Sequence, residues 1–170
     1  MVTKMLEILK YPDERLKQLS KPVDDFGSKL HKLLDEMAVT MYASNGIGLA
    51  APQVGKLSRF FLIDLGTEEK SQKKLHEFIN PELSNGKGKI IYEEGCLSIP
   101  GLTEEVKRSE TITVTYQDRR GKTHELVAEG LLAVAIQHEN DHLDGILFLD
   151  RLSPLKRRFT KRKLAKAVTF

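Results

Sequence analysis

The residues most able to do chemistry lie in one short run, His138-Glu139-Asn140-Asp141-His142, an HExxH pattern. On a helix, histidines four positions apart sit one turn apart on one face, so two imidazoles can share a cation. The glutamate between them lies about 100° round the axis from His138, near enough to handle a water at that cation without occupying a coordination position. Two ring nitrogens with a neighbouring carboxylate are the parts of a metal-assisted hydrolase. Surface or helix-capping residues can also meet a pattern with three fixed positions, so its surroundings carry weight. Here Leu131, Val134 and Ala135 lead into the histidines along one stripe at helical spacing, which offers a greasy wall beside a metal.

A hydrolytic cation needs about three protein ligands and an open position. No further His or Glu stands downstream at the spacing of the zinc proteases. Asp144 cannot easily be turned onto the face of His138 and His142, and Asp150 follows the apolar run Ile146-Leu147-Phe148-Leu149. Cys96 is the better candidate. As the single cysteine it has no internal disulfide partner, and a thiolate is a strong soft ligand. The other reading of a lone cysteine is a small buried hydrophobe. Gly95, Pro100 and Gly101 around it imply a shaped backbone rather than a helix. A third segment, Gly46-Ile47-Gly48-Leu49-Ala50-Ala51-Pro52-Gln53, carries two glycines that let a chain approach a ligand closely. It lacks the third glycine of a dinucleotide-binding turn and the Gly-Lys-Ser/Thr ending of a phosphate-binding loop. Taken alone, it reads first as a tight structural turn.

Periodicity supplies the elements that must position these groups. Leu30, Leu33, Leu34, Met37 and Met41 recur at helical spacing after Asp25, predicting an amphipathic helix over 25–43 capped by that Asp. Residues 59–65 (RFFLIDL) read as a buried strand. Thr111–Gln117 alternates as a second strand, and the turn DRRGK returns the chain through KTHELVAE as a hairpin. The run 130–143 is apolar round much of its circumference and ends in the two histidines, so it predicts a central helix packed on sheet, stopped by Asp144-Gly145. After Pro154 a basic helix follows, with Leu155 and Phe159 expected to dock one turn of it. Strands and helices in no regular order predict an α+β fold, with mixed or antiparallel strands packed around the central HExxH helix. With no repeat, linker or low-complexity tract, residues 1–170 read as a single catalytic domain whose basic C-terminal helix spans 151–170.

Charge is partitioned along the chain. The net +3 combines +8 after Asp150 with −5 over residues 1–150. A basic segment of this kind fits contact with a polyanion or simply a solvated helix face. The N-terminus has no apolar core or cleavage site of a secretory signal, and no apolar run approaches the roughly 20 residues of a membrane span. A cytoplasmic protein with no membrane partner is the expectation.

Together and in this order, GIGLAAPQ, EGCLS and QHENDH resemble the three signature segments of the peptide deformylases of bacterial type, from KYPDERL near the start to DHLDGILFLDRLSPLK. The resemblance implies that Cys96, His138 and His142 bind one divalent metal, most often Fe²⁺ in the cell, with Zn²⁺, Ni²⁺ or Co²⁺ as stand-ins in preparations. It implies Glu139 as the general base and acid. Gln53, through its side-chain amide, and Leu97, through its backbone N–H, become the oxyanion donors. Gly48 would let the substrate backbone lie close, with Ile47, Leu131, Val134 and Ala135 around its methionine side chain. The implied reaction removes the N-formyl group from formyl-methionine on newly made polypeptides and releases formate. The expected partners are the formylated nascent peptide and, through the basic helix, the ribosome, with no DNA. One stretch departs from the family pattern. Where many bacterial relatives carry an Arg that contacts the substrate main chain, this sequence reads Gly101-Leu102-Thr103-Glu104-Glu105-Val106, with no base until Lys107. Two other readings keep distinct signatures. A metallopeptidase of other specificity would cleave unformylated peptides, and a non-catalytic ribosome- or RNA-binding protein would show salt-sensitive binding without bound metal or hydrolysis.

Overall fold

The apolar stripe at 30, 34, 37 and 41 folds as helix α1, Ser28–Ala43, with all four side chains buried. It starts later than the sequence suggests, because Asp25 does not cap it. The Asp25 carboxylate instead accepts the backbone N–H of Gly27 at 2.9 Å, a local turn that competes with capping, and Gly27 takes the N-cap position. The computed structural model describes residues 3–66 and 74–167. Within them the strands are β1 Gly48–Ala50, β2 Phe60–Ile63, β3 His76–Lys87, β4 Ile90–Cys96, β5 Ile99–Arg108, β6 Thr111–Gln117 and β7 Thr123–Glu129. Helices α2, Gly130–Leu143, and α3, Pro154–Ala167, follow.

Five strands make one sheet in the order β1-β2-β3-β6-β7, while β4 and β5 form a separate hairpin. Every pairing between these strands is antiparallel. The fold is α+β, as the order of elements predicts. Strand β3 escapes pattern reading for a physical reason. It carries Asn80, Pro81 and Gly86 and its pairing with β6 slips twice, so neither β propensity nor strict alternation marks it.

β2 shows why its sequence is apolar without interruption. Phe60 and Leu62 face the cluster that holds the α1 stripe with Leu49 and Ile79. Phe61 and Ile63 face the opposite cluster, where Phe78, Ile112 and Val114 meet Ala133, Ile136 and Leu143 of α2. Alternate side chains thus bury on opposite faces of one sheet, and a strand covered on both faces has no polar side to show. Each such Phe, Leu or Ile contributes roughly 1.5–3 kcal/mol by leaving water. A third cluster, Leu9, Leu16, Ile99, Val106, Leu147, Phe148, Leu149 and Leu152, packs the β4–β5 hairpin against the segment after α2. It brings Cys96 toward the histidine helix. The turn that frees this segment depends on Gly145, at φ +71°, where an added Cβ would collide with the Lys17 carbonyl.

Helix α3 corrects one expectation. Leu155 and Phe159 are 65% and 55% exposed, whereas Thr160 is buried at 1% and Leu164 packs on the third cluster. The docked face therefore centres on Thr160, whose hydroxyl donates to Glu104 of β5 at 3.2 Å. Lys156 pairs with the same carboxylate at 3.6 Å. The helix begins at Pro154 rather than 151, because residues Phe148–Arg151 form a 3-10 turn of their own, and residues 168–170 lie outside the described residues. Among the described residues no helix is long and apolar enough to cross a membrane.

Candidate metal centre and active-site cleft

Helix α2 delivers His138 and His142 one turn apart, both nearly buried at 8% and 1% exposure. Cys96 comes from the last position of β4, where the pairing with β5 shifts register between Gly95 and Cys96, a local bulge of the kind that re-aims a side chain. The ligand atoms of Cys96, His138 and His142 all lie within 4.8 Å of one another. Cys96 Sγ stands 3.4 Å from His142 Nε2. One sulfur and two imidazole nitrogens at this spacing match the donor set of a divalent transition metal with a position left open. His138 is oriented from behind, its Nδ1 donating to Glu94 Oε1 at 2.8 Å, so its Nε2 is the nitrogen left for a cation.

The electrostatics separate the three titrating side chains. Burial works to lower the pKa of His138, but hydrogen bonds with Cys96 and Glu94 outweigh it and raise it. Burial, with His138 beside it, drives His142 down, favouring the neutral ring. Glu139 is 5% exposed, and its pKa is pushed up to about 7, chiefly by burial. Its Oε2 has no hydrogen-bond partner among the described residues, leaving it free to take a proton. The backbone of β1 runs alongside. A Cβ added at Gly48 would lie 2.5 Å from Glu139 Oε1, so glycine here is what leaves room for the carboxyl.

Gln53 sits in the 3-10 turn Ala51–Val54 that follows β1. Its Oε1 accepts the Ala50 N–H at 2.9 Å, which fixes the amide so that Nε2 faces Ser98 Oγ at 3.1 Å and Cys96 Sγ at 3.5 Å. Leu97 follows Cys96 directly, and its carbonyl accepts from Lys10 Nζ at 2.8 Å. These groups open onto a cleft of about 600 Å³. All the candidate site residues read from sequence line it except His142: Ile47, Gly48, Gln53, Cys96, Leu97, Leu131, Val134, Ala135, His138 and Glu139. Val134 and Ala135 are buried, whereas Ile47 is 46% exposed at the mouth.

The segment 101–106 forms one side of this cleft, through Gly101, Leu102 and Thr103. Thr103 donates to Glu93 at 2.7 Å. Lys107 lines a different groove, so among the described cleft residues the one Lys or Arg is Lys10. The rejected ligand candidates are otherwise engaged. Asp144 pairs with Arg59 at 2.8 Å, and Asp150 accepts the Leu147 N–H at 3.0 Å. His31, His76 and His124 stay apart from the centre: His31 contacts the Arg119 carbonyl, His76 stacks near Phe78 and His124 pairs with Asp118. What pattern reading misses is the layer behind the candidate ligands, Glu94, Arg108, Asp141 and Arg151. Glu94 stands two residues from Cys96, a usable hint, but nothing local marks Arg108.

Comparison with known proteins covers the same stretch of chain. The polypeptide deformylase family model matches residues 5–158. Peptide deformylase from Thermodesulfovibrio yellowstonii is 52% identical over 159 residues, spanning 94% of this chain and 96% of that protein. The enzyme of that name from Wolinella succinogenes is 49% identical over 164 residues, 95% and 96% of the two chains. The crystal structure of a peptide deformylase from Legionella pneumophila superposes with a TM-score of 0.89 at 46% identity, covering 96% of this chain and 95% of that one. Since the likeness extends over the sheet, the hairpin and the histidine helix alike, and not over the short motifs alone, the chain belongs to the polypeptide deformylase family.

Proposed function

We propose that this chain removes the formyl group from the N-terminal formyl-methionine of newly made polypeptides, releasing formate by metal-assisted hydrolysis of a linear amide. One observation carries the reading: Cys96, His138 and His142 converge within 4.8 Å beside the buried carboxyl of Glu139. Those three side chains would hold one divalent ion, Fe²⁺ in the cell. Such an ion supplies Lewis acidity, which polarises the carbonyl and makes water a nucleophile near neutral pH.

The chain's own groups do the rest. Glu139 accepts a proton from the attacking water and returns it to the amine nitrogen as the C–N bond breaks. Gln53 Nε2 and the Leu97 N–H donate to the carbonyl oxygen as it gains negative charge. Ile47, Leu131, Val134 and Ala135 enclose the methionine side chain, and Gly48 lets the peptide backbone lie close. The reaction belongs in the cytoplasm, where new chains emerge, and the cationic α3 would hold the enzyme at the ribosome.

Anaerobically purified protein should contain iron by elemental analysis and release formate from a formyl-Met peptide. Glu139→Ala should keep its metal and lose turnover by several orders of magnitude. Near-normal turnover in that variant, or cleavage of unformylated peptides without formate release, would reject the assignment.

A further inference from the structure

Behind His138 runs an alternating series of charges that ends at the surface. Glu94, which accepts from His138, is gripped by Arg108 through two bonds, Nε to Oε2 at 2.8 Å and Nη2 to Oε1 at 2.9 Å. The third arm of the same guanidinium, Nη1, donates to Asp141 Oδ2 at 2.6 Å. Asp141 in turn receives Arg151 through Nε at 3.0 Å and Nη2 at 2.7 Å. The side chains of Arg108, Glu94 and Asp141 are 4%, 4% and 8% exposed, whereas that of Arg151 is 46% exposed. Arg151 is thus the outer end of an otherwise buried series.

Its charge matters to the whole set. Two buried carboxylates against Arg108 alone would leave a net negative charge in a low-dielectric site, and Arg151 cancels it. Without Arg151, Asp141 would compete harder for Arg108 and loosen its grip on Glu94, the group that fixes His138. A second contact leads to the same ring. Phe148, in the 3-10 turn that Arg151 completes, stacks on His138 with centroids 6.2 Å apart.

We propose that Arg151 is a positioning residue for the metal centre, acting through Asp141, Arg108 and Glu94 on His138. The segment just ahead of α3 thereby steadies the metal centre and is not only a support for the basic helix. This rests on the metal-dependent reading above.

Full-length wild type, Arg151→Met and Arg151→Lys would be loaded with Co²⁺, whose visible spectrum reports ligand geometry, and its affinity measured by chelator competition. Loss of a hydrogen-bonding partner behind a ligand commonly costs 10–100-fold in metal affinity or activity. Arg151→Met should bind Co²⁺ about tenfold more weakly or worse, show altered absorption bands, and lose kcat on a formyl-Met peptide with little change in KM. Arg151→Lys, which keeps the charge without the fork, should fall between. Wild-type affinity and spectrum in Arg151→Met would overturn the proposal, even if its melting temperature dropped. Should that variant not fold, Arg151→Gln decides by the same two readouts. A wild-type chain that took up no Co²⁺ would overturn the metal-dependent reading as well, whereas an unchanged Arg151→Met in a chain that does bind it removes only the relay.

Discussion

Burial holds the Glu139 carboxyl at about 7 against an ordinary value of 4.5, and this has consequences for stability as well as chemistry. Between those values the folded chain keeps a proton that the unfolded chain has released. Glu139 therefore favours the metal-free fold most below the unfolded value, and this one group's contribution is lost as pH rises through about 7, to the extent of roughly 3 kcal/mol. Glu139→Gln, neutral at every pH, should be more stable than metal-free wild type at pH 8 and about equal to it at pH 4, as urea unfolding would show. Gly48 protects the same group sterically. Because a Cβ there would stand 2.5 Å from Glu139 Oε1, Gly48→Ala should displace the carboxyl and lower kcat about 100-fold, within the range that misplaced acid–base groups cost. Metal content should stay at the wild-type level. Full activity in Gly48→Ala would show that Glu139 has more room than its surroundings suggest.

At the scale of elements, β2 and the β4–β5 hairpin do most of the positioning. β2 joins both faces of the sheet, and Phe61, fully buried, packs on Phe78 with ring centroids 5.1 Å apart in the cluster that seats α2. Phe61→Ala should cost about 3–5 kcal/mol, the usual range for a truncated core aromatic, measured as a lowered denaturant midpoint at unchanged slope. The hairpin acts differently. It adds little to the main sheet, yet it carries Glu94 and Cys96 at one end and Arg108 at the other. Cys96, the carboxylate that orients His138 and the base that holds that carboxylate are therefore spaced by strand register.

Across the whole molecule, charge and shape divide the labour. The cleft lies where α2, β1 and the hairpin meet, while α3 leaves Leu155, Phe159 and most of its basic residues exposed. Reversing Arg158, Arg162 and Lys163 to Glu should lower ribosome affinity at least tenfold and flatten its salt dependence. Hydrolysis of a short formyl-Met peptide should be unaffected, since none of these side chains lines the cleft. Ribosome cosedimentation across a salt series, beside the peptide assay, separates the two effects. Unchanged affinity would remove α3 from the docking role.

Some of this was legible in residues and spacing alone. Local periodicity marked α1, β2, β6, β7 and α2 because each buries a regular face, and helical spacing placed His138, Glu139 and His142 correctly with respect to one another. The cleft walls 131, 134 and 135 follow from that helix, and Cys96 follows from elimination and family likeness. Tertiary structure alone decided the rest. Cys96 meets His142 across 46 positions of chain, and Arg108 meets Glu94 and Asp141 across 14 and 33, contacts that no local period records. The docked face of α3 departs from its apolar pattern for a related reason. Hydrophobicity alone predicts Leu155 and Phe159 inward, but the hairpin offers that helix a carboxylate, Glu104, and Thr160 answers it. A sequence can show which side chains suit a metal and a proton transfer, because those are properties of residue type and short spacing. Which buried charges hold them in place depends on how distant strands register, and that is settled only when the chain closes on itself.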